Sequence, residues 1–86
     1  MYKISITSSK VKKRLFEYLK SRNDIKNKLE KLKINPRGEI GAHLLHGRLA
    51  DKWSCWLGSN IRMVYVIDDK NKRIIVEAIG SHKIYY

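Results

Sequence analysis

The chain has one cysteine, one proline, one phenylalanine and only eight acidic residues in 86. Each shortage excludes something. A lone Cys55 cannot form an internal disulfide, and it suits a reducing compartment. No apolar run approaches the roughly 20 residues that a membrane-spanning helix needs. The first residues, Met1-Tyr2-Lys3-Ile4-Ser5-Ile6-Thr7, alternate instead of forming the apolar block of a signal peptide. A cytoplasmic location with no membrane partner is therefore expected. One proline and 43% hydrophobic residues argue against a disordered or fibrous protein. Without a cluster of cysteines or acids there is no ligand set for a metal. His43 and His46 are three apart, which in a strand puts them on opposite faces. No metal and no cofactor are expected.

What the chain has in excess is positive charge. Nineteen Lys and Arg give a net charge of +11 and a pI near 10.0. Residues 1–37 hold twelve basic and three acidic side chains, and residues 38–86 hold seven and five. Such a field attracts polyanions and speeds encounter with them. A nucleic acid or an acidic protein is the expected partner. Most of the lysines belong to a solvated face that acts over distance.

Eighty-six residues make one domain, spanning 1–86. Tyr2, Ile4 and Ile6 alternate with Lys3 and Ser5, the period of a strand. Ser8 or Ser9 can cap a helix whose apolar stripe is Val11, Leu15, Tyr18 and Leu19. Ser21 to Asp24 is a break and a second cap, after which Ile25, Leu29 and Leu32 form another helical stripe. Asn35-Pro36-Arg37-Gly38 ends that helix. The second half reads as β: Ala42 to Leu49 with a bulge at Gly47, Trp53 to Leu57, Ile61 to Ile67, a polar hairpin loop at Asp68 to Lys72, and Arg73 to Ile79. The last run is apolar on both faces, which predicts an interior strand. The fold class expected is α+β, in the order β-α-α-β-β-β, with a helical hairpin on one face of a mostly antiparallel sheet.

The end of that last strand runs into Gly80-Ser81-His82-Lys83-Ile84-Tyr85-Tyr86. A histidine there can move protons in phosphodiester cleavage, or it can be a solvated surface residue. Arg62 lies opposite the Ile61, Met63, Tyr65 face of its strand. It needs either a structural partner such as Glu77 or a phosphate. Trp53 and Trp56 can stack on unpaired bases or pack in a core, and Cys55 between them reads as a buried apolar residue. Tyr85 and Tyr86 can contact RNA or pin the last strand to the body.

The element order, together with Asn35-Pro36-Arg37, Leu45-His46-Gly47-Arg48-Leu49 before Trp53-Ser54, and Ile61-Arg62-Met63-Val64-Tyr65 before Ile75-Val76-Glu77-Ala78-Ile79-Gly80-Ser81-His82, resembles the RelE/YafQ/ParE toxin superfamily. The resemblance covers essentially the whole chain. Ribosome-dependent members of that family cut mRNA in the ribosomal A site and are silenced by a cognate antitoxin. By this resemblance Arg62 matches the arginine that stabilises the scissile phosphate. His82 falls where RelE-like toxins have a catalytic arginine and YafQ-like toxins a catalytic histidine. Tyr85 matches the RelE tyrosine and Tyr86 the YafQ aromatic, while His43 resembles another YafQ active-site histidine. Arg37, Arg48, Lys52, Trp53, Trp56 and Lys83 would contact mRNA or ribosomal RNA. The resemblance implies metal-independent cleavage: His82 or His43 takes the 2′-OH proton, and Arg62, helped by Arg37, Arg48 or Lys52, stabilises the charge on phosphorus. One departure stands out. The lysines that RelE-type toxins carry on the strand reading Trp53-Ser54-Cys55-Trp56 are absent, leaving Lys52 the nearest. This keeps open a ParE-like alternative that inhibits gyrase, or a member that only binds an antitoxin. The expected antitoxin is acidic and partly helical.

Overall fold

The fold was obtained as a computed structural model, which describes residues 1–38, 42–45, 47, 51–58 and 60–80. The alternating N-terminus forms strand β1 (Lys3–Ile6). Ser8 then caps helix α1 (Ser9–Ser21), its Oγ accepting from the Val11 amide at 3.3 Å. Arg22 is extended, with φ −138°, so one residue separates α1 from helix α2 (Asn23–Ile34). The expected second cap is not made by a side chain. Arg22 occupies the cap position, and its long guanidinium side chain instead holds Asp24 at 3.1 and 2.6 Å. Asp24 adds negative charge to the first turn, where it complements the positive end of the helix dipole. The predicted apolar stripes bury Leu15 on α1 and Ile25, Leu29 and Leu32 on α2.

Four further strands follow, one more than the expected order β-α-α-β-β-β counts: β2 (His43–Leu44), β3 (Trp53–Gly58), β4 (Ile61–Asp68) and β5 (Arg73–Gly80). The sheet order is β1-β5-β4-β3-β2, with β1 parallel to β5 and every other pairing antiparallel. The interior position expected for the last strand is what forms. The long strand expected over Ala42 to Leu49 is not. Among the described residues only His43 and Leu44 pair, with Ser54 and Trp53, and one further bond runs from the Leu45 amide to the Lys52 carbonyl at 2.9 Å. Gly47 adopts φ +70° and Asp51 φ +75°, left-handed conformations that turn the chain instead of extending it. His46 and residues 48–50 lie outside the described residues.

The helices cover one sheet face. Their apolar side chains meet Cys55, Leu57, Ile61, Met63, Tyr65, Ile74, Val76 and Ile79, all within 7% of full burial. On β5 the buried positions 74, 76 and 79 break strict alternation. The cause is a bulge: Tyr65 pairs with Val76 but Val64 pairs with Ala78, leaving Glu77 with no partner. The extra residue shifts the phase of the strand by one, so Ile79 faces the helices where an unbroken strand would have turned it away.

Asn35-Pro36-Arg37 works as an anchor. The buried Tyr65 hydroxyl donates to the Pro36 carbonyl at 2.7 Å. The Arg37 guanidinium binds both carboxylate oxygens of Asp69 at 2.9 and 2.6 Å, and the Tyr2 hydroxyl donates to the same carboxylate at 2.6 Å. The segment after α2 is thus tied to the middle of β4, the β4–β5 turn and the N-terminus. Replacing Tyr65 with Phe leaves the Pro36 carbonyl buried without this donor. That should cost about 1–3 kcal/mol, read as a lower urea midpoint at unchanged slope; a loss below ~0.5 kcal/mol would show that the bond contributes little.

Candidate active site

The sheet face turned away from the helices carries the polar side chains. Alternation on β3 directs Cys55 and Leu57 to the core and Ser54 and Trp56 to the other face. On β4 the same rule sends Arg62 and Val64 outward. Cross-strand pairing then fixes neighbours: Trp56 sits directly opposite Arg62, and Ser54 lies between His43 on β2 and Val64 on β4. Directly opposed side chains are close enough to touch. The Arg62 guanidinium carbon lies 4.4 Å from the centroid of the Trp56 ring, and its Nη2 is 3.5 Å from His43 Nε2. An arginine, an imidazole and an indole therefore meet on one patch. The floor beneath them is buried, with Ser54 at 0% and Val64 at 3% exposure, while Trp56 keeps 38% of its surface open to solvent.

This arrangement corrects one expectation. Glu77 does not neutralise Arg62. The register puts Arg62 opposite Gly80, three residues beyond Glu77, and the Glu77 carboxylate forms its ion pair with Lys52. Lys52, the residue before β3, lies about 13 Å along the strand direction from Trp56, four residues away, so the Lys52–Glu77 pair stands apart from the patch.

The two tryptophans divide. Trp53 is half-buried and packs against the core with Cys55 and Leu57, whereas Trp56 stands on the open face. They are three apart in one strand, so they cannot share a face. Cys55 is fully buried, as its apolar reading required. Arg37 does not join Arg62. Its partner Asp69 is in the turn after β4, and the six residues from Arg62 to Asp68 span about 20 Å. Of the other residues singled out in the sequence, His82, Lys83, Tyr85, Tyr86 and Arg48 lie outside the described residues. Two features had no signal in the sequence. One is the guanidinium–indole stack, which needed the β3–β4 register. The other is the bond from Arg14 Nη1 to the Ile79 carbonyl at 3.1 Å. β1 pairs with β5 only as far as Val76, and Arg14 of α1 supplies a donor to β5 beyond that point.

Among the described residues no group of three or more His, Cys, Asp or Glu side chains could hold a metal ion, and no helix is long and apolar enough to cross a membrane.

No protein-family model matches the sequence, and no curated protein matches it significantly. Solved structures do match it in fold. A YoeB/ParE toxin from Agrobacterium tumefaciens superposes with a TM-score of 0.73 at 21% identity, over 93% of this chain and 98% of that one. A conserved hypothetical protein from Helicobacter pylori gives 0.67 at 28% identity, over 95% and 96%. The Staphylococcus aureus YoeB–YefM complex contains a chain matching at 0.72 and 19% identity, over 95% and 98%. The chain has the α+β fold of the RelE/YafQ/YoeB/ParE toxins, as the resemblance in its sequence implied.

The Arg37–Asp69 pair makes stability depend on pH in a defined window. Hydrogen bonds from Arg37 and then Tyr2 hold the Asp69 carboxyl well below the usual carboxylate range, and Asp69 in turn raises Arg37. A lowered folded-state pKa contributes stability that is complete above the unfolded value near ~3.9 and is lost as pH falls below it. Arg37 stays charged throughout and adds no pH dependence. The gap in melting temperature between the wild type and Asp69→Asn should therefore be constant from pH 7 to 5 and close below pH ~4. A gap that persisted undiminished to pH 2 would contradict the pairing.

Proposed function

We propose that this chain is the toxin of a type II toxin–antitoxin pair and acts as a metal-independent, ribosome-dependent mRNA endonuclease. The observation that carries the reading is the convergence of Arg62, His43 and Trp56 on the open sheet face of a RelE/YoeB-type fold. Gly80, the last described residue, lies directly opposite Arg62.

The chemistry follows from these groups. His82 or His43 removes the proton of the RNA 2′-OH. The oxygen attacks the adjacent phosphorus in line, and the P–O5′ bond breaks. A conjugate acid protonates the leaving 5′-oxygen, giving a 2′,3′-cyclic phosphate. Arg62 stabilises the extra negative charge through its planar fork of N–H donors. Its stack on Trp56 restrains that fork before substrate arrives. General acid or base catalysis is worth about 10²–10⁴-fold, and alignment of the strand by the ribosome supplies the orientation that the sparse site lacks. Lys52, Arg48 and Lys83 supply positive charge around the site in this reading. Arg37, held by Asp69 at the far end of β4, would meet RNA only at a distance, and Trp53 supports the sheet from the core side. Tyr85 or Tyr86 would contact the nucleotide at the cut.

An acidic, partly helical antitoxin segment is the proposed partner. A hollow of about 720 Å³ opens between β1 and the two helices, lined by Ile4, Leu15, Phe16 and Leu19 and by four lysines against one acid, Glu30. An apolar floor with cationic edges suits an amphipathic segment whose polar side is acidic. Phe16 is 50% exposed, so Phe16→Glu should leave the fold intact while weakening capture of an adjacent-gene antitoxin at least tenfold. Undiminished capture would place the contact elsewhere.

The absence of lysine from Trp53-Ser54-Cys55-Trp56 favours one rival, a ParE-like toxin that binds gyrase and cuts nothing. Purified chain added to programmed ribosomes, with primer extension on the mRNA, should show A-site cleavage. Arg62→Ala and His82→Ala should each reduce it by at least 10²-fold. Inhibition of supercoiling without cleavage of mRNA would establish the rival.

A further inference from the structure

Beyond Ser54, the outer edge of β3 has no described strand beside it, because β2 pairs only with Trp53 and Ser54. At this edge lies a hollow of about 420 Å³ between β3 and α2. Trp56 and Gly58 border it from the sheet, and Asn27, Lys28 and Lys31 border it from the helix. Those helix positions, with Asp24, recur at three- and four-residue spacing and so share one face. Asp24 also borders the hollow, but its carboxylate is bound by Arg22, which offsets its charge toward an incoming anion. Gly58 is packed against that ion pair: a Cβ there would lie 2.6 Å from Arg22 Nη2 and 2.8 Å from Asp24 Oδ2. The pair therefore closes one end of the hollow. Trp56 is common to both places, since it touches Arg62 on the open face and borders this hollow as well.

We propose that this hollow is a nucleotide subsite for single-stranded RNA next to the phosphate held at Arg62, an inference that rests on the ribonuclease reading. A base stacks on the exposed part of Trp56, the favoured way of holding an unpaired base. Asn27, which both donates and accepts, faces the base edge, and Lys28 and Lys31 sit where the backbone phosphate would run. The volume falls within the roughly 300–1,000 Å³ of small-molecule sites. Trp56 thereby serves two neighbours, restraining Arg62 and stacking on a base.

The test uses the full chain labelled with 5-fluorotryptophan, which gives two 19F signals, one from each tryptophan, assigned with a Trp53→Phe sample. Titration with a 12-nucleotide adenosine-rich RNA should shift the Trp56 signal and leave that of Trp53 nearly still. With fluorescein-labelled RNA, Trp56→Ala should bind roughly 5- to 150-fold more weakly, the range of base–aromatic stacking. Lys28→Gln/Lys31→Gln should flatten the salt dependence by about 1.4 in log–log slope, 0.7 per phosphate contact on a single strand. Lys12→Gln/Lys13→Gln on α1, the control for diffuse charge, should change that slope by less than half as much. A Trp56 signal indifferent to RNA, equal effects of the two lysine pairs, or an equal shift with a polyglutamate peptide would overturn the subsite. Cleavage of mRNA by a chain whose Trp56 ignores RNA removes the subsite and keeps the nuclease. RNA binding at Trp56 without cleavage does the reverse.

Discussion

The pairing of β4 with β5 is the constraint on which the rest of the molecule hangs. Its register places Gly80 opposite Arg62, and its bulge at Glu77 resets which side chains face the helices. Without that extra residue Ile79 would leave the core and Ala78 would enter it. The burial of Ile74, Val76 and Ile79 together is thus a consequence of one unpaired residue. The same residue pairs with Lys52, while at the start of β4 Arg62 has Trp56 and His43 as neighbours.

Those neighbours make a site because three strands agree in register. Trp56 meets Arg62 across β3 and β4, and His43 reaches Arg62 diagonally from β2. A strand pair fixes side-chain position to within a residue, and a slip of one in any of the three strands would turn that strand's group into the core. The two-residue ladder of β2 is therefore enough to bring His43 to the patch. Charge is distributed in a complementary way. The lysine-rich helices cover the opposite face, where they act at a distance and frame an apolar groove, while the open face holds a few cations in defined contacts.

The resemblance to RelE-type toxins proposed Arg62 and His43 for one site and Arg37 for contact with RNA; the structure brings Arg62 Nη2 to 3.5 Å from His43 Nε2 and binds Arg37 to Asp69. In the sequence Arg37 is one more arginine in a basic half. In the structure it is the clamp between the end of α2 and the β4–β5 turn, with Asp69 and Tyr2. Nothing local distinguishes an arginine that binds RNA from one that binds an aspartate 32 residues away. Trp53 and Trp56 make a similar case. Their composition suggested stacking or packing for both, and strand parity assigned packing to Trp53 and exposure to Trp56.

By itself the sequence determined the elements and their apolar faces. Ser8 as a cap, the stripes ending at Leu19 and Leu32, the stop at Pro36, the polar turn at Asp68 to Lys72 and the interior character of β5 are all written in residues near one another. Local periodicity suffices there, because solvent and core impose a simple pattern on each segment. Only the tertiary structure decided the bulge at Glu77, the shortness of β2, the Lys52–Glu77 pair and the stack of Arg62 on Trp56. Each depends on which residue of one strand lies opposite which residue of another. That choice is made by the packing of the whole sheet against two helices, and no single segment carries it.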